Sequence, residues 1–434
     1  MIIAAMRKRR WLALALAGSV MGAGVAAQPE AAGSGLRFDG FGTLGVASAD
    51  MDPPYSFLRE VSQPASGRRT RADADSRLGL QLNWSPSPRW DVVGQAVLSR
   101  RAPSSPAREA ISLAFAAWHP AAGWDLRAGR LALDAFLLAD YRHVGYAYPW
   151  VRPFPEFYGW MPFQSIDGAD ATLRWTDRGG ANWRAKLLAG RSRVTIPGPS
   201  ESGDVVLRTK GTGGLVLTRE ADGLTLKLSL IHSRSRLVPT AQFQPLLDGL
   251  RALQALPLPL APEAAEAERR LPFRWFGASY AGLGGSYEQG AWLLHAEASV
   301  IRAEHTSNDG RHAYASIGRR FGDVTAYVAA AEARSTLAPA ASPDWAAQLL
   351  PIAGPVAAAQ AQALGEAARA AGDAGRLDQR SLGIGARWDF ADRRALKVQL
   401  DRVRIGPTGS GLWGRAGPQP ARGHVLSASL DFVF

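Results

Sequence analysis

Arg184 and Lys186 stand two residues apart in NWRAKLLAG, Lys227 sits among leucines in LTLKLSLIHS, and Arg387 and Lys397 recur in SLGIGARWDF and ALKVQLD. Arg77, Arg127 and Arg174 lie in runs of the same kind. In each run every second residue is apolar, which puts the cation on the polar face of a strand. Cations repeated along one polar face favour anions moving past them. Arg130 belongs with this set by type, although its phase conflicts with that of Arg127. A second group lies over residues 133–168 and just beyond, where Asp134, Asp140, Glu156, Asp167 and Asp170 alternate with rings at Tyr146, Tyr148, Trp150, Tyr158 and Trp160. Four prolines stiffen that stretch (149, 153, 155 and 162), and loops of such length inside a compact fold are usually functional.

Bond-making chemistry is not signalled. The seven histidines (119, 143, 232, 295, 305, 312 and 424) form no HxxxH pair or other metal spacing, so no metal and no cofactor is expected. There is no cysteine, hence no disulfide and no thiol nucleophile. GxSxG and phosphate-loop patterns are absent, and GLGGS at 282–286 reads as a strand end before a turn. A non-enzyme is expected.

The elements that position the cations are strands. DSRLGLQLNW sets Leu78, Leu80, Leu82 and Trp84 against Arg77, Gly79, Gln81 and Asn83, and WLLHAEASV and the terminal HVLSASLDFVF alternate in the same way. Seven short turns, among them TDRGGA, READG and ADRR, alternate with eight long connections, including 48–74, 133–168, 236–272 and 334–378. About 16 antiparallel strands follow, with both termini on the short-turn side. Alternation over roughly ten residues with this loop asymmetry is the pattern of a transmembrane β-barrel. Eighteen strands are expected instead if the long insertions hide a hairpin. Tryptophans at strand ends (84, 90, 124, 175, 183, 292 and 388) fit interfacial girdles. A soluble β-sandwich is the alternative; it explains neither the repeated mid-strand cations nor a chain ending on Phe432 and Phe434. The two long insertions have apolar residues near helical spacing.

At the N-terminus Arg7, Lys8, Arg9 and Arg10 precede an apolar run from Trp11 to Val20, then small residues with Val25 and Ala27 before Gln28. Residues 1–27 therefore read as a secretory signal peptide, and residues 28–434 as the barrel domain. The formal charge of +12 falls to +8 without those four cations. An exported basic chain points to anionic solutes or lipid headgroups and away from nucleic acid.

The signal segment, the opening strand LRFDGFGTLGVAS, the RAGRLAL segment before the longest early loop and the terminal SLDFVF resemble the Gram-negative outer-membrane porin family. The resemblance implies a water-filled channel in outer-membrane lipid that lets small hydrophilic solutes diffuse passively. By it, residues 133–168 fold into the lumen as a constriction whose acids (Asp140, Glu156, Asp167 and Asp170) face a basic wall of Arg77, Arg127, Arg130, Arg174, Arg184, Lys186, Lys227, Arg387 and Lys397, with a lean toward anions. Phe432 and Phe434 would be the signal read by the barrel-assembly machinery, and the chain would form a homotrimer. The loop rings either stack on sugars or wedge the loop against the wall. A substrate-selective channel for oligosaccharides or organic anions, and a surface receptor or adhesin with a plugged pore, are the alternatives.

Overall fold

The alternating runs become strands that close into a ring. The computed structural model describes residues 35–51, 56–198, 203–409, 412–413 and 420–434, and the expected signal peptide lies outside them. In chain order the strands are β1 Gly35–Ala49, β2 Thr70–Arg71, β3 Arg77–Ser87, β4 Trp90–Ser99, β5 Ile111–Trp118, β6 Trp124–Ala132, β7 Ser165–Thr176, β8 Asn182–Arg191 and β9 Arg193–Ile196. They continue as β10 Val205–Ala221, β11 Leu224–Val238, β12 Phe276–Gln289, β13 Trp292–Ala303, β14 Gly310–Phe321, β15 Val324–Ser335, β16 Asp378–Ala391, β17 Arg394–Ile405 and β18 Ala421–Val433. Sixteen form the barrel, each antiparallel to the next, and β18 closes on β1 from Phe41↔Val433 to Ala49↔Val425. The short β2 and β9 lie outside the ring and lengthen the pairing of β1 and β10. The two extra strands thus come from the connections after β1 and β8, not from a hairpin in the long insertions.

Burial follows the period of two in the inverse of a soluble protein's sense. On β17, Leu396, Val398 and Leu400 are exposed while Lys397, Gln399 and Asp401 are buried. Phe38 and Leu187 are 75% and 63% exposed, whereas Lys397 and Asp431 are fully enclosed. An apolar exterior around a polar interior suits lipid outside and water inside. Trp84, Trp90, Trp118, Trp124, Trp175, Trp292 and Trp388 are exposed at short-turn ends, with Trp90 stacked on Trp118 and Trp175 on Trp183. Among the described residues no helix is long and apolar enough to cross a membrane.

The C-terminal phenylalanines fill glycine gaps on the neighbouring strand. The ring of Phe434 lies where a Cβ on Gly40 would be, and that of Phe432 over Gly42. Both insertions are helical, as their spacing suggests: α1 Gln244–Ala255 and α2 Ala261–Arg270 in one, α3 Trp345–Asp373, kinked at Gly354, in the other. The three helices share a core of Leu247, Leu250, Leu260, Trp345 and Leu349.

Candidate functional site

The connection from β6 to β7, where the sequence reading puts a constriction loop over 133–168, spans residues 133–164. Residues 165–168 belong to β7, so Asp167 and Asp170 are strand residues. The segment crosses the lumen and is held to the wall at several points far apart in sequence.

Asp134 makes the first attachment, accepting hydrogen bonds from Lys186 on β8 and Lys227 on β11; Lys227 also donates to the Phe136 carbonyl at 2.6 Å. Burial pushes the Asp134 carboxyl up, but the two ammonium groups outweigh it and hold it well below its ordinary range. Along β16 and β17, Lys397 donates to the carbonyls of Gly145 (2.6 Å) and Trp150 (2.9 Å) and pairs with Asp431 at 3.1 Å. Arg387 donates to the Tyr146 carbonyl at 2.7 Å and is braced by Asp389. Gly145 is required here, because a Cβ would stand 1.9 Å from Asp431 Oδ1 and 2.4 Å from Thr43 Oγ1.

The rings of the loop are packed. Trp150 is fully buried and donates to Ser316 Oγ at 2.8 Å. Phe154, Phe157, Tyr158 and Tyr314 form one cluster, and the hydroxyls of Tyr158 and Tyr314 both donate to Glu297. Tyr148 stacks on Trp150, Tyr146 lies under Arg387, and Trp160 stacks on His312 with centroids 4.3 Å apart. Glu156 accepts from Gln379 Nε2 at 2.7 Å, and burial raises its pKa. Of the two roles open to these rings, the geometry gives wedging to Tyr148, Trp150 and Tyr158.

A third attachment carries residues that sequence reasoning passed over. Arg152 is 1% exposed and grips Asp75 with contacts of 2.7, 2.9 and 3.1 Å. It also donates to Ser427 Oγ, reaches Asp401 at 3.4 Å and lies 4.6 Å from the Phe57 ring centroid. Arg59 adds a 3.3 Å contact to Asp75. Burial raises the Asp75 carboxyl, but Arg152, Arg59 and Arg77 bring it down to about 2. Arg142 pairs with Glu60 at 3.3 Å; against the pull of burial, Arg142 and Arg59 hold Glu60 at about 2. His143 beside them is pushed well below its usual value by burial and by Arg142 and Arg77, so it is neutral at pH 7. The signal available in the sequence was the proline-flanked Arg in VRPFP; its acidic partner is 77 residues away.

The remaining nominated cations are also engaged. Arg127 pairs with Asp170 (2.5 Å), Arg130 with Asp167 (2.7 Å) and Arg174 with Asp125; Arg77 donates to the Asp75 carbonyl, and Arg184 lies near Thr218 Oγ1. Between the loop and the adjoining wall of β4 to β9 a gap of about 90 Å³ remains. Its charged lining is Arg101, Arg130, Arg142 and Arg193 with Glu60, Glu109, Asp140 and Asp167. Only Arg130, Asp140 and Asp167 of these were foreseen. Among the described residues no group of three or more histidines or carboxylates is placed to hold a metal ion.

The arrangement is a barrel whose own loop narrows its lumen. The fold is that of an outer-membrane porin. An anion-selective porin from Comamonas acidovorans is 12% identical, with 93% of this chain and all of that one covered at a TM-score of 0.50. Salmonella typhi OmpF, in complex with daunomycin, is 12% identical over 93% and 98% at 0.49, and the DcaP channel of Acinetobacter baumannii 11% identical over 94% and 100% at 0.48. At these identities the likeness is one of porin fold alone. No protein-family model matches the chain, and no curated relative does.

Proposed function

We propose that this protein is an outer-membrane porin, a water-filled channel for passive diffusion of small hydrophilic solutes with a lean toward anions. The observation that carries the reading is the loop 133–164, bonded across the interior of a barrel whose outer face is apolar. A plugged scaffold has no use for a charged, water-sized gap beside the plug, whereas a channel needs one. The gap's four arginines face four carboxylates, of which Asp167 and Glu60 are paired with Arg130 and Arg142. Arg101 and Arg193 have no ion-pair partner among the described residues, and the formal charge of the chain without the expected signal peptide is +8. These favour anions modestly rather than strictly. Its partners on this reading are outer-membrane lipid, the barrel-assembly machinery acting on the Phe432–Phe434 end, and two further copies in a homotrimer.

The test is single-channel conductance in a planar bilayer across a potassium chloride gradient. Steady conductance reversing toward the chloride potential is expected. Reversal toward potassium refutes the anion lean, and absence of conductance refutes the channel. The narrowness of the gap favours a second reading, a substrate-selective channel. Liposome swelling separates the two, since a selective channel admits one organic anion or sugar well ahead of others of equal size.

A further inference from the structure

At the short-turn end of the barrel one pairing of residues occurs three times. Trp90, Trp118 and Trp124 are exposed at the lipid boundary, and each is followed by a titratable residue: Asp91, His119 and Asp125. Successive side chains of a strand point to opposite faces, so Asp91 on β4 and Asp125 on β6 turn into the lumen. His119 follows β5 directly, and its N–H donates to the Arg89 carbonyl at 2.9 Å, docking one short turn on the next. The His119 ring then joins the two acids. Its Nδ1 lies 2.6 Å from Asp125 Oδ1 and its Nε2 lies 2.8 Å from Asp91 Oδ2. The remaining carboxylate oxygens are engaged as well: Ser85 Oγ on β3 donates to Asp91 Oδ1 at 2.5 Å, and Arg174 on β7 pairs with Asp125 Oδ2.

A neutral imidazole carries one N–H, and an ionised carboxylate only accepts, so a ring bonded to carboxylates through both nitrogens is the imidazolium. Burial pulls the pKa of His119 down, but the hydrogen bonds to Asp91 and Asp125 outweigh it and hold it above its ordinary value. With that proton in place the charges of His119, Arg174, Asp91 and Asp125 cancel. Without it one negative charge is left over. The other charged groups around the network are Arg89 in the β3–β4 turn, Arg127 beside Asp170, Arg184 opposite Arg174 on β8, and Arg37 and Asp39 on β1. None of these arginines changes charge where histidine titrates. Ions meet the network on their way through. The strands β4, β6 and β7 that wall the gap beside the loop carry it at their short-turn ends. The side chains of His119 and Asp91 are 27% and 29% exposed, so water and ions reach them.

We propose that His119 sets the ion preference of the short-turn mouth, keeping that mouth neutral while it holds its proton and leaving a carboxylate to repel anions when it does not. The proposal rests on the channel reading above. The positive charge is present below the pKa of His119 and is lost as the pH rises through it, so anion preference falls as the solution turns alkaline. One charge acting across a Debye length, about 10 Å at 0.1 M salt, changes the chloride-to-potassium permeability ratio by about twofold.

The test is the reversal potential of the intact protein in a planar bilayer under a potassium chloride gradient, at about pH 5.5 and about pH 9, on either side of histidine titration. The ratio of the parent should fall about twofold at the higher pH. His119→Asn should show the parent's high-pH ratio at both values, and His119→Lys the parent's low-pH ratio at both. The parent arm needs no variant, and heat-modifiable gel mobility shows that the variants have folded. A parent ratio that does not change with pH overturns the proposal. So does a change that His119→Asn retains, since His295 beside Glu288 at the same end of the barrel is then the titrating group. Conductance with a fixed ratio leaves the channel standing, whereas absence of conductance refutes the channel and the proposal together.

Discussion

Replacing Arg152 with Met keeps most of the side-chain volume and removes the charge that holds the middle of the loop. Arg152 supplies the contacts of 2.7, 2.9 and 3.1 Å to Asp75, and only the 3.3 Å contact from Arg59 remains. Asp75 is 1% exposed, so water cannot replace the lost partner without moving the loop. Breaking a buried pair by removing one member costs about 3–5 kcal/mol. With Arg59 still in place the low end applies, about 3 kcal/mol. At 1.4 kcal/mol per decade this shifts the balance between docked and undocked loop by roughly 100-fold. Single-channel recording should show a larger conductance state occupied about 100 times more often than in the parent. Adding Asp75→Asn should recover much of the docked state, because it removes the uncompensated charge; the double-mutant cycle then reports coupling rather than general damage. A folded Arg152→Met channel with the parent's conductance and dwell times would refute this account of the latch.

Acid should open the same latch. Glu60 and Asp75 have folded pKa values of about 2, below unfolded values near 4, so their stabilisation is present above pH 4 and is lost as the pH falls toward 2. A carboxylate displaced by about two units contributes about 2.5 kcal/mol. His143, held neutral in the fold, adds a cost in the same direction once the pH drops below about 6.5. Open-channel noise recorded from pH 7 to 2.5 should therefore grow gradually and then steeply below pH 4. Gly145→Val places atoms against Asp431 and Thr43, so it should displace the loop and raise conductance, with the gel mobility of the folded barrel retained. Phe434→Ala empties the space over Gly40 and should lower the amount of heat-modifiable barrel recovered from membranes, while the conductance of the barrels that do assemble stays the same.

Much of the barrel was legible because it is written locally. Leu78 and Leu80 face out and Arg77 is buried because successive side chains of a strand point to opposite faces, and nothing distant is needed to know it. The short turns and long connections were legible for the same reason, as were the helices of the two insertions. The far end of the loop between β6 and β7 was misjudged by four residues, since SIDGAD alternates weakly and its pairing with β6 joins residues more than 30 apart. Arg152 and Asp75 were not legible as a pair. Their meeting depends on a loop folding back across the lumen, and neither residue carries a local mark of it.

The sequence by itself determined which side chains face lipid and which face the interior, and a ring of about 16 strands. These follow from a period of two and from turn length, which act over a few residues. Only the tertiary structure decided what the interior cations do. By composition Lys186, Lys227, Arg387 and Lys397 are a basic wall; in the folded chain they hold Asp134, Asp389, Asp431 and the loop's own carbonyls, and a different set lines the remaining gap. A buried charge takes whatever partner the closed ring brings within hydrogen-bond reach. Here that partner lies from 2 to 252 residues away along the chain.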